Sequence, residues 1–471
     1  HLCDRRQRQM CIRDRYYKMK TTKLDYQNGN IGKLFRSLFF PTLIGMLSNS
    51  VFLITDGIFV GQGIGPLGLA AVNMVAPMFI LICGITLMFG IGSSVGASIC
   101  LANKQHLSAK KIVFQCLLSG ELLILFLATI FISDPKGIVN ILGADDSIRK
   151  LSSAYLFWLF TAMICMLPQI GGMMVMRLDG SPKYAMFCQL IPAILNIALD
   201  YYLIFQLKLE TTGAALATSI SGIVGALMVF LYFCKWSVNF RFTKIADAFE
   251  GILTNTRYAV KIGFSAFFTE ATTCVMMLTG NYMFMRLIGI EGVSAYSIVC
   301  YLFPVFFSFA NSIIQSEQPI ISFNYGNQAY GRIAATFQQA IGTAFLSGIG
   351  LSLCCLLFNR PIAEIFLGNG MEYGLAEAGI PLFAICPIFF ISNMAVIGYY
   401  QSIEKAWIAS LISLLRGLVV LVPSFIILPS LIGIAGLWLA IPMSEFITLT
   451  VAGGIFLFRH RVDILEKSLT R

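Results

Sequence analysis

Charge is scarce in this chain, and histidine is almost absent. Asp, Glu, Lys and Arg make up 12% of the 471 residues, about half the share of an ordinary soluble protein. A soluble globular domain is therefore excluded, because too few charged side chains exist to cover its surface. The three histidines are His1, His106 and His460, and the 13 cysteines include no CxxC pair. No His/Cys metal centre can be assembled from them. Eleven of the thiols lie within apolar runs, where cysteine packs as a small hydrophobe. A phosphate-binding GxxxxGK[ST] loop and an HExxH pair are also missing. Neither an ATP-driven pump nor a hydrolase is expected, and no cofactor.

What the chain has instead is apolar length. It is 57% hydrophobic, with a mean hydropathy of +0.80. Runs of about 20 apolar residues, long enough to cross a bilayer as helices, recur from Ile31 to Arg459. They do not alternate as the strands of a membrane barrel would. The pattern predicts an all-α membrane protein of about twelve transmembrane helices, the first near 33–60 and the last near 432–458. Several runs exceed the bilayer thickness, so tilt or bending is expected.

The net charge of +10 overstates the basic character of these helices. Residues 1–20 hold seven Lys/Arg and two Asp, half of that excess. The stretch 1–18, "HLCDRRQRQMCIRDRYYK", has no signal-peptide core and is read as a non-native leader ahead of Met19; the alternative is a basic membrane-surface arm. No nucleic-acid partner is expected. Elsewhere, fifteen Lys/Arg fall in alternate gaps with the chain ends and only six in the others. The positive-inside rule then puts both termini in the cytoplasm; the bacterial inner membrane is the location that the family resemblance given below implies.

The longest charged gap, 235–257, divides the spans six and six. A shift of 224 positions superposes Gly65 on Gly289, Gly68 on Gly292, Ala71 on Ala295, Asn103 on Asn327 and Gln115 on Gln339. Six is even, so both halves enter the membrane in the same sense. The expected architecture is two parallel six-helix bundles, 19–234 and 258–458, followed by a cytoplasmic tail at 459–471.

Acids within the spans carry the chemistry: Asp56, Glu121, Asp200, Glu270, Glu317 and Glu445. A carboxylate in hydrocarbon costs at least ~2.5–3.5 kcal/mol and usually faces a cavity or a partner. Asn196 and Asp200, in "LNIALDYYLIF", are four apart and share one helix face. An amide oxygen beside a carboxylate suits a proton or a hard cation, and Asp56 and Thr218 are candidate additions. The pattern alone leaves an ion site and a structural polar cluster both open. Glu317, just before Pro319, is either a cavity carboxylate or an interhelical contact. Glu121 and Glu445 read as interhelical contacts, with Arg416 and Lys261 as pairing or snorkelling cations.

Five stretches resemble one family: "FPTLIGMLSNSVFLITDGIFVGQGIGPLGLAAV", "RLDGSPKYAM", "LNIALDYYLIF", "TTGAALATSIS" and "QPIISFNYGN". Together, in order from about Gly32 to Arg459, they look like the multidrug and toxic compound extrusion (MATE) family, nearest its MepA-like bacterial branch. The resemblance implies an antiporter that expels cationic, amphipathic drugs from the membrane in exchange for H⁺ or Na⁺ by alternating access. Relatives of the DinF type imply a cation site at Asp56, Asn196, Asp200 and Thr218, with the main-chain carbonyl of Ala214. Pro41 matches the family's helix-1 proline and is the expected bending point.

In the NorM-like branch the acids lie on helices 7 and 10. Matching its usual helix-7 proline to Ser265 puts that glutamate nearer Thr273, and "LFAICPIFFISNMAVIGYY" on helix 10 has no acid. A NorM-type site in the second half is therefore not expected. Glu270, Glu317 and Asn49 are placed in the substrate cavity. The competing reading is a lipid-linked oligosaccharide flippase of the same superfamily; a membrane-embedded transferase is a more distant one.

Overall fold

The computed structural model describes residues 24–143, 145–241, 247–367 and 371–469. The leader expected at 1–18 and part of the linker lie outside these residues. Among the described residues every regular element is helical. Eleven helices are long and apolar enough to cross a bilayer, and a bent pair makes a twelfth. They are α1 (Ile31–Gly63), α2 (Leu67–Ala102), α3 (His106–Ser133), α4 (Ile148–Leu178), α5 (Pro182–Gln206) and α6 (Glu210–Lys235). The second half holds α7 (Ile252–Leu287), α8 (Ile290–Gly326), α9 (Tyr330–Leu357), α10, α11 (Ala406–Ile432) and α12 (Ile434–Phe456). Helix α10 is Tyr373–Phe383 followed, after a 46° bend, by Cys386–Ser402. Pro387, near the start of the second piece, has no N–H to continue the ladder.

The end of the molecule where α1 begins is called the inner end. Four of its turns close in one way, with an N–H bonding back across five residues. Gln105 donates to the Cys100 carbonyl (2.8 Å), Ser181 to Met176 (3.0 Å), Ala329 to Asn324 (2.9 Å) and Lys405 to Tyr400 (2.9 Å). Each turn needs a left-handed residue, and these are Lys104, Gly180, Gln328 and Glu404. The first and third are 224 apart, as are the second and fourth. Gly65 and Gly289, which precede α2 and α8, share φ values of 93° and 99°. The repeat read from sparse identities is thus repeated in the backbone.

The linker is shorter than expected: α6 runs to Lys235 and α7 begins at Ile252, behind Gly251 (φ 77°). Buried Gln115 of α3 ties it down, donating to the Ala248 and Glu250 carbonyls at 2.7 and 2.8 Å. At its start, buried Asp179 accepts hydrogen bonds from Tyr232, Ser237, Val238 and Asn239. The "RLDGSP" stretch is therefore a structural clamp.

Two lobes form, but the first helix of each half straddles both. Leu34, Phe35, Leu38 and Phe39 of α1 sit in the core of the second lobe, whereas Val60 of the same helix sits in the first. Helix α7 does the converse, with Ala259 in the first lobe and Met276, Met283 and Phe284 in the second. The two sequence halves therefore cross over as packing units.

Glycines let the two sequence halves touch at the inner end. A Cβ on Gly92 would strike the Ala259 backbone, and one on Gly263 the Met88 backbone. Gly96 faces Tyr258, and Gly326 faces Ile99 and Ala102. "GSSVG" at Gly92–Gly96 has the spacing of a hydrolase nucleophile elbow, which needs a strand-to-helix turn. Here it lies within a continuous helix, and its glycines serve packing. Near the middle of α1 and α8, Ser50 and Ser308 are hydrogen-bonded at 2.7 Å. Ser50 also donates to the Pro304 carbonyl at 3.0 Å, and Ser308 to that of Met46 at 3.0 Å.

Candidate functional site

Helix α5 presents Asn196 and Asp200 one turn apart, 1% and 0% exposed. Immediately after Asp200, residues Tyr201–Gln206 widen into a π-helical turn. Such turns loosen the regular ladder and often mark functional positions. Across from α5, Asp56 of α1 is half-buried, and its carboxyl lies within hydrogen-bond reach of Asp200. Residues 144 apart in sequence are thus brought together. Two carboxylate oxygens at that separation repel unless a proton or a cation lies between them.

The remaining oxygens belong to α5 and α6. With the Asn196 amide oriented to satisfy both its ends, Nδ2 donates to Asp200 Oδ2 at 2.7 Å and Oδ1 accepts from the Thr218 N–H at 3.1 Å. The Thr218 hydroxyl donates to the Ala214 carbonyl at 3.1 Å. One oxygen of Asp56 and one of Asp200 have no donor among the described residues. Tyr155 of α4, itself buried, is close enough to interact electrostatically with both acids. The structure therefore brings Asp56, Asn196, Asp200, Thr218 and Ala214 into one cluster between α1, α5 and α6. That cluster combines two acids with amide, hydroxyl and carbonyl oxygens, an environment for a proton or a small hard cation.

The three residues expected in the substrate cavity are placed differently from one another. Glu270 is half-buried and lines a pocket between the lobes, with Leu87 and Ile91 of α2 and Phe307, Asn311, Met394 and Gln401 of the second lobe. Asn49 is exposed on α1, beside the Ser50–Ser308 contact. Glu317 is 0% exposed, and neither of its oxygens has a partner among the described residues. It packs against Gly398 of α10 beside Ile314, which lines the Glu270 pocket, although Glu317 itself does not.

Sequence reasoning left the partner of Arg416 undecided. The guanidinium, on a π-helical turn of α11, donates to Glu445 of α12 through Nη2 (2.8 Å) and Nε (3.0 Å). Asn393 of α10 adds a 2.8 Å hydrogen bond to the same carboxylate. The guanidinium carbon stands 4.6 Å from the Phe390 ring centroid. Asn393 was missed altogether. The available signal was a guanidinium in a span with no acid on its own helix, which demands a partner from a neighbour.

Comparison with known proteins agrees with this architecture. The family model MatE matches residues 41–202 and 265–426, two segments displaced by the same 224 residues. The chain is 24% identical over 466 residues to the multidrug export protein MepA of Staphylococcus saprophyticus, covering 96% of this chain and 99% of that one. It is 25% identical over 469 residues to MepA of Staphylococcus aureus strain N315, covering 95% and 98%. Among solved structures, a multidrug resistance MATE family transporter in an outward-facing conformation superposes with a TM-score of 0.87 at 21% identity, covering 95% of this chain and 99% of that one. A MOP superfamily transporter from Pyrococcus furiosus, described as having a binding pocket of reverse polarity, gives 0.86 at 20% identity, covering 95% and 99%.

Proposed function

The chain belongs to the MatE family, and from that premise we propose that it is a multidrug efflux antiporter, expelling amphipathic organic cations in exchange for H⁺ or Na⁺. The observation that carries this reading is the meeting of Asp56 and Asp200 beside Asn196 and Thr218. A buried acid pair that needs a positive charge between its oxygens is a device for taking up and releasing an ion. A proton shared by the two carboxyls, or a Na⁺ among these oxygens, would each relieve the repulsion. The test is ethidium efflux from inside-out vesicles, with proton and sodium gradients imposed separately. Efflux driven by at least one of the two gradients is expected; efflux with neither gradient would end the antiporter reading.

The inner end is taken to face the cytoplasm of a bacterial inner membrane, from the excess of Lys and Arg there. A reporter fused within the linker should then report a cytoplasmic location. The close backbone contacts of Gly92 and Gly263 at the inner end fit an outward-open state of alternating access.

Pro41 joins the ion to the drug in this reading. Helix α1 is continuous through Pro41, but a proline removes one N–H from the ladder and leaves a place to bend. Asp56 lies fifteen residues on, roughly 22 Å along the same helix. The inner part of α1 packs in the second lobe and its outer part in the first, so a bend at Pro41 would move one lobe's wall against the other's. Linkage requires that an ion which weakens drug binding be weakened equally by drug. Pro41→Ala should leave ion binding at Asp200 intact and reduce the ion's effect on drug affinity by several-fold, read by ethidium titration with and without the ion. Unchanged coupling would remove the bending helix from the mechanism.

A further inference from the structure

The inner end carries two tyrosines, each gripped from both halves of the chain. Ahead of α1, residues 25–29 fold into a tight turn: the Gly29 N–H donates to the Asp25 carbonyl at 3.0 Å, and Asp25 Oδ1 accepts from the Gln27 and Asn28 N–H groups. From the second half, Asn324 and Arg332 hold this turn by its backbone. Asn324 Nδ2 and Arg332 Nη2 donate to the Tyr26 carbonyl at 3.1 and 3.2 Å, and Arg332 Nη2 donates to that of Gly29 at 2.8 Å. From the first half, the Arg177 carbonyl of α4 accepts the Tyr26 hydroxyl at 2.6 Å. Met176 and Leu178, on either side of Arg177, lie in a core formed by α2 to α6 and the linker, so that carbonyl moves with the first half.

Tyr258 sits near the start of α7 and is held in the same manner. Its ring faces Gly96 of α2 and packs with Ile91 and Val95, while its hydroxyl donates to Glu404 Oε1 at 2.7 Å. Glu404 is the left-handed residue of the turn between α10 and α11. It stands 224 positions after Gly180, the left-handed residue of the turn that follows Arg177. We propose that Tyr26 and Tyr258 are paired latches that keep the inner end shut, placed at equivalent turns of the two halves. The inference rests on the alternating-access reading and adds to it the residues, outside the acid cluster, that set how readily the inner end opens.

For the inner ends to part, each tyrosine must let go of one half. A hydroxyl released in this way, and the oxygen it leaves, exchange their mutual hydrogen bond for hydrogen bonds to water, so each latch contributes only a small net free energy. Such a bond can break in every transport cycle. Two in parallel hold the closed state more firmly than one. The Tyr26 latch is also a chain in series, from Arg177 through the turn to Arg332, and cutting either end releases it. The two cases are distinguishable, because independent contacts add in free energy and links of one chain do not.

Ser98 of α2, 0% exposed, donates to the Pro319 carbonyl of α8 at 3.3 Å and so reports on the seam between the halves. With Ser98→Cys as the one cysteine of the full chain in detergent, its rate of reaction with a water-soluble maleimide measures opening. Tyr26→Phe and Tyr258→Phe keep both rings and lose only the hydroxyls. Each should raise the rate about fivefold, and the two together about 25-fold. Arg332→Met should match Tyr26→Phe, and the double variant Tyr26→Phe/Arg332→Met should stay within about twofold of either. As a control, Ser444→Cys should remain unreactive throughout, because Ser444 is buried between α11 and α12, where it donates to the Arg416 carbonyl. Should Arg332→Met fail to fold, the two phenylalanine variants and their combination decide the matter. Parent-like rates in the phenylalanine variants, a Tyr26/Arg332 double whose effects multiply, or a Ser444→Cys that reacts as well overturns the latches while leaving efflux untouched. A parent in which Ser98→Cys already reacts like an exposed thiol overturns the outward-open reading itself.

Discussion

Asp200→Asn is expected to lower coupled efflux by about 100-fold, near the upper end of ordinary coupling free energies. The substitution preserves volume, and its side-chain oxygen can still accept the Asn196 Nδ2 hydrogen bond that Asp200 Oδ2 accepts at 2.7 Å. What it removes is the charge. With one carboxylate left at Asp56, no ion is needed to separate two like charges, so loading and unloading the site no longer changes the energy of the two conformations. Insertion and folding should be unaffected, because Asp200 is fully buried and an amide is cheaper to bury than a carboxylate. Ethidium efflux from vesicles, normalised to the amount of protein in the membrane, measures the effect. Parent-like transport at normal expression would show that this acid pair does not couple the ion to the drug.

Gly263→Leu is expected to pry open the inner end and to cut transport at least tenfold. Any Cβ at this position would meet the backbone of Met88, and one at Gly92 that of Ala259. Two helices from different sequence halves therefore touch backbone to backbone, with a glycine supplied by each. Side chains at the rim could move aside, but a carbonyl in a continuous helix cannot. Overpacking of this kind costs typically 1–3 kcal/mol, enough to shift a two-state equilibrium by roughly 5- to 150-fold. The shift should favour the state in which the inner ends are apart.

Ser94, 1% exposed on α2 between Gly92 and Gly96, provides the readout. Cysteine placed there in a cysteine-free background should resist a membrane-impermeant thiol reagent from the inner side. Adding Gly263→Leu should make it react. Equal protection in both, together with equal transport, would mean that this contact does not seal the molecule.

The spans and the repeat were legible in the sequence because both are local quantities. A bilayer fixes how many consecutive apolar residues a helix needs, and a constant offset is visible wherever turns recur. The turn residues at Lys104 and Gln328 or Gly180 and Glu404 show the same repeat in the backbone. The pairing of Asn196 with Asp200 was legible for a similar reason, since residues four apart share a helix face in any α-helix. The boundary of α7 was less so, because the polar turns of residues 252–257 read as linker until the tie to Gln115 is seen.

Which faces meet was decided by tertiary structure alone. Lipid is as apolar as a protein core, so hydrophobic periodicity carries little information about which side of a membrane helix is buried. Leu278 and Phe126 are 70% and 64% exposed, while Ser94, Gln115 and Glu317 are almost fully buried, the reverse of a soluble domain. The approach of Asp56 to Asp200, the capture of Arg416 by Glu445, to which Asn393 also donates, and the crossing of α1 and α7 into opposite lobes all join residues on different helices. The sequence by itself determined twelve spans, a twofold repeat and a set of acids too costly to be idle. Only the fold decided which acids face each other, which faces a built-in cation and which stands open to a pocket, because those outcomes depend on helix rotation and contact, and neither leaves a local pattern in an apolar chain.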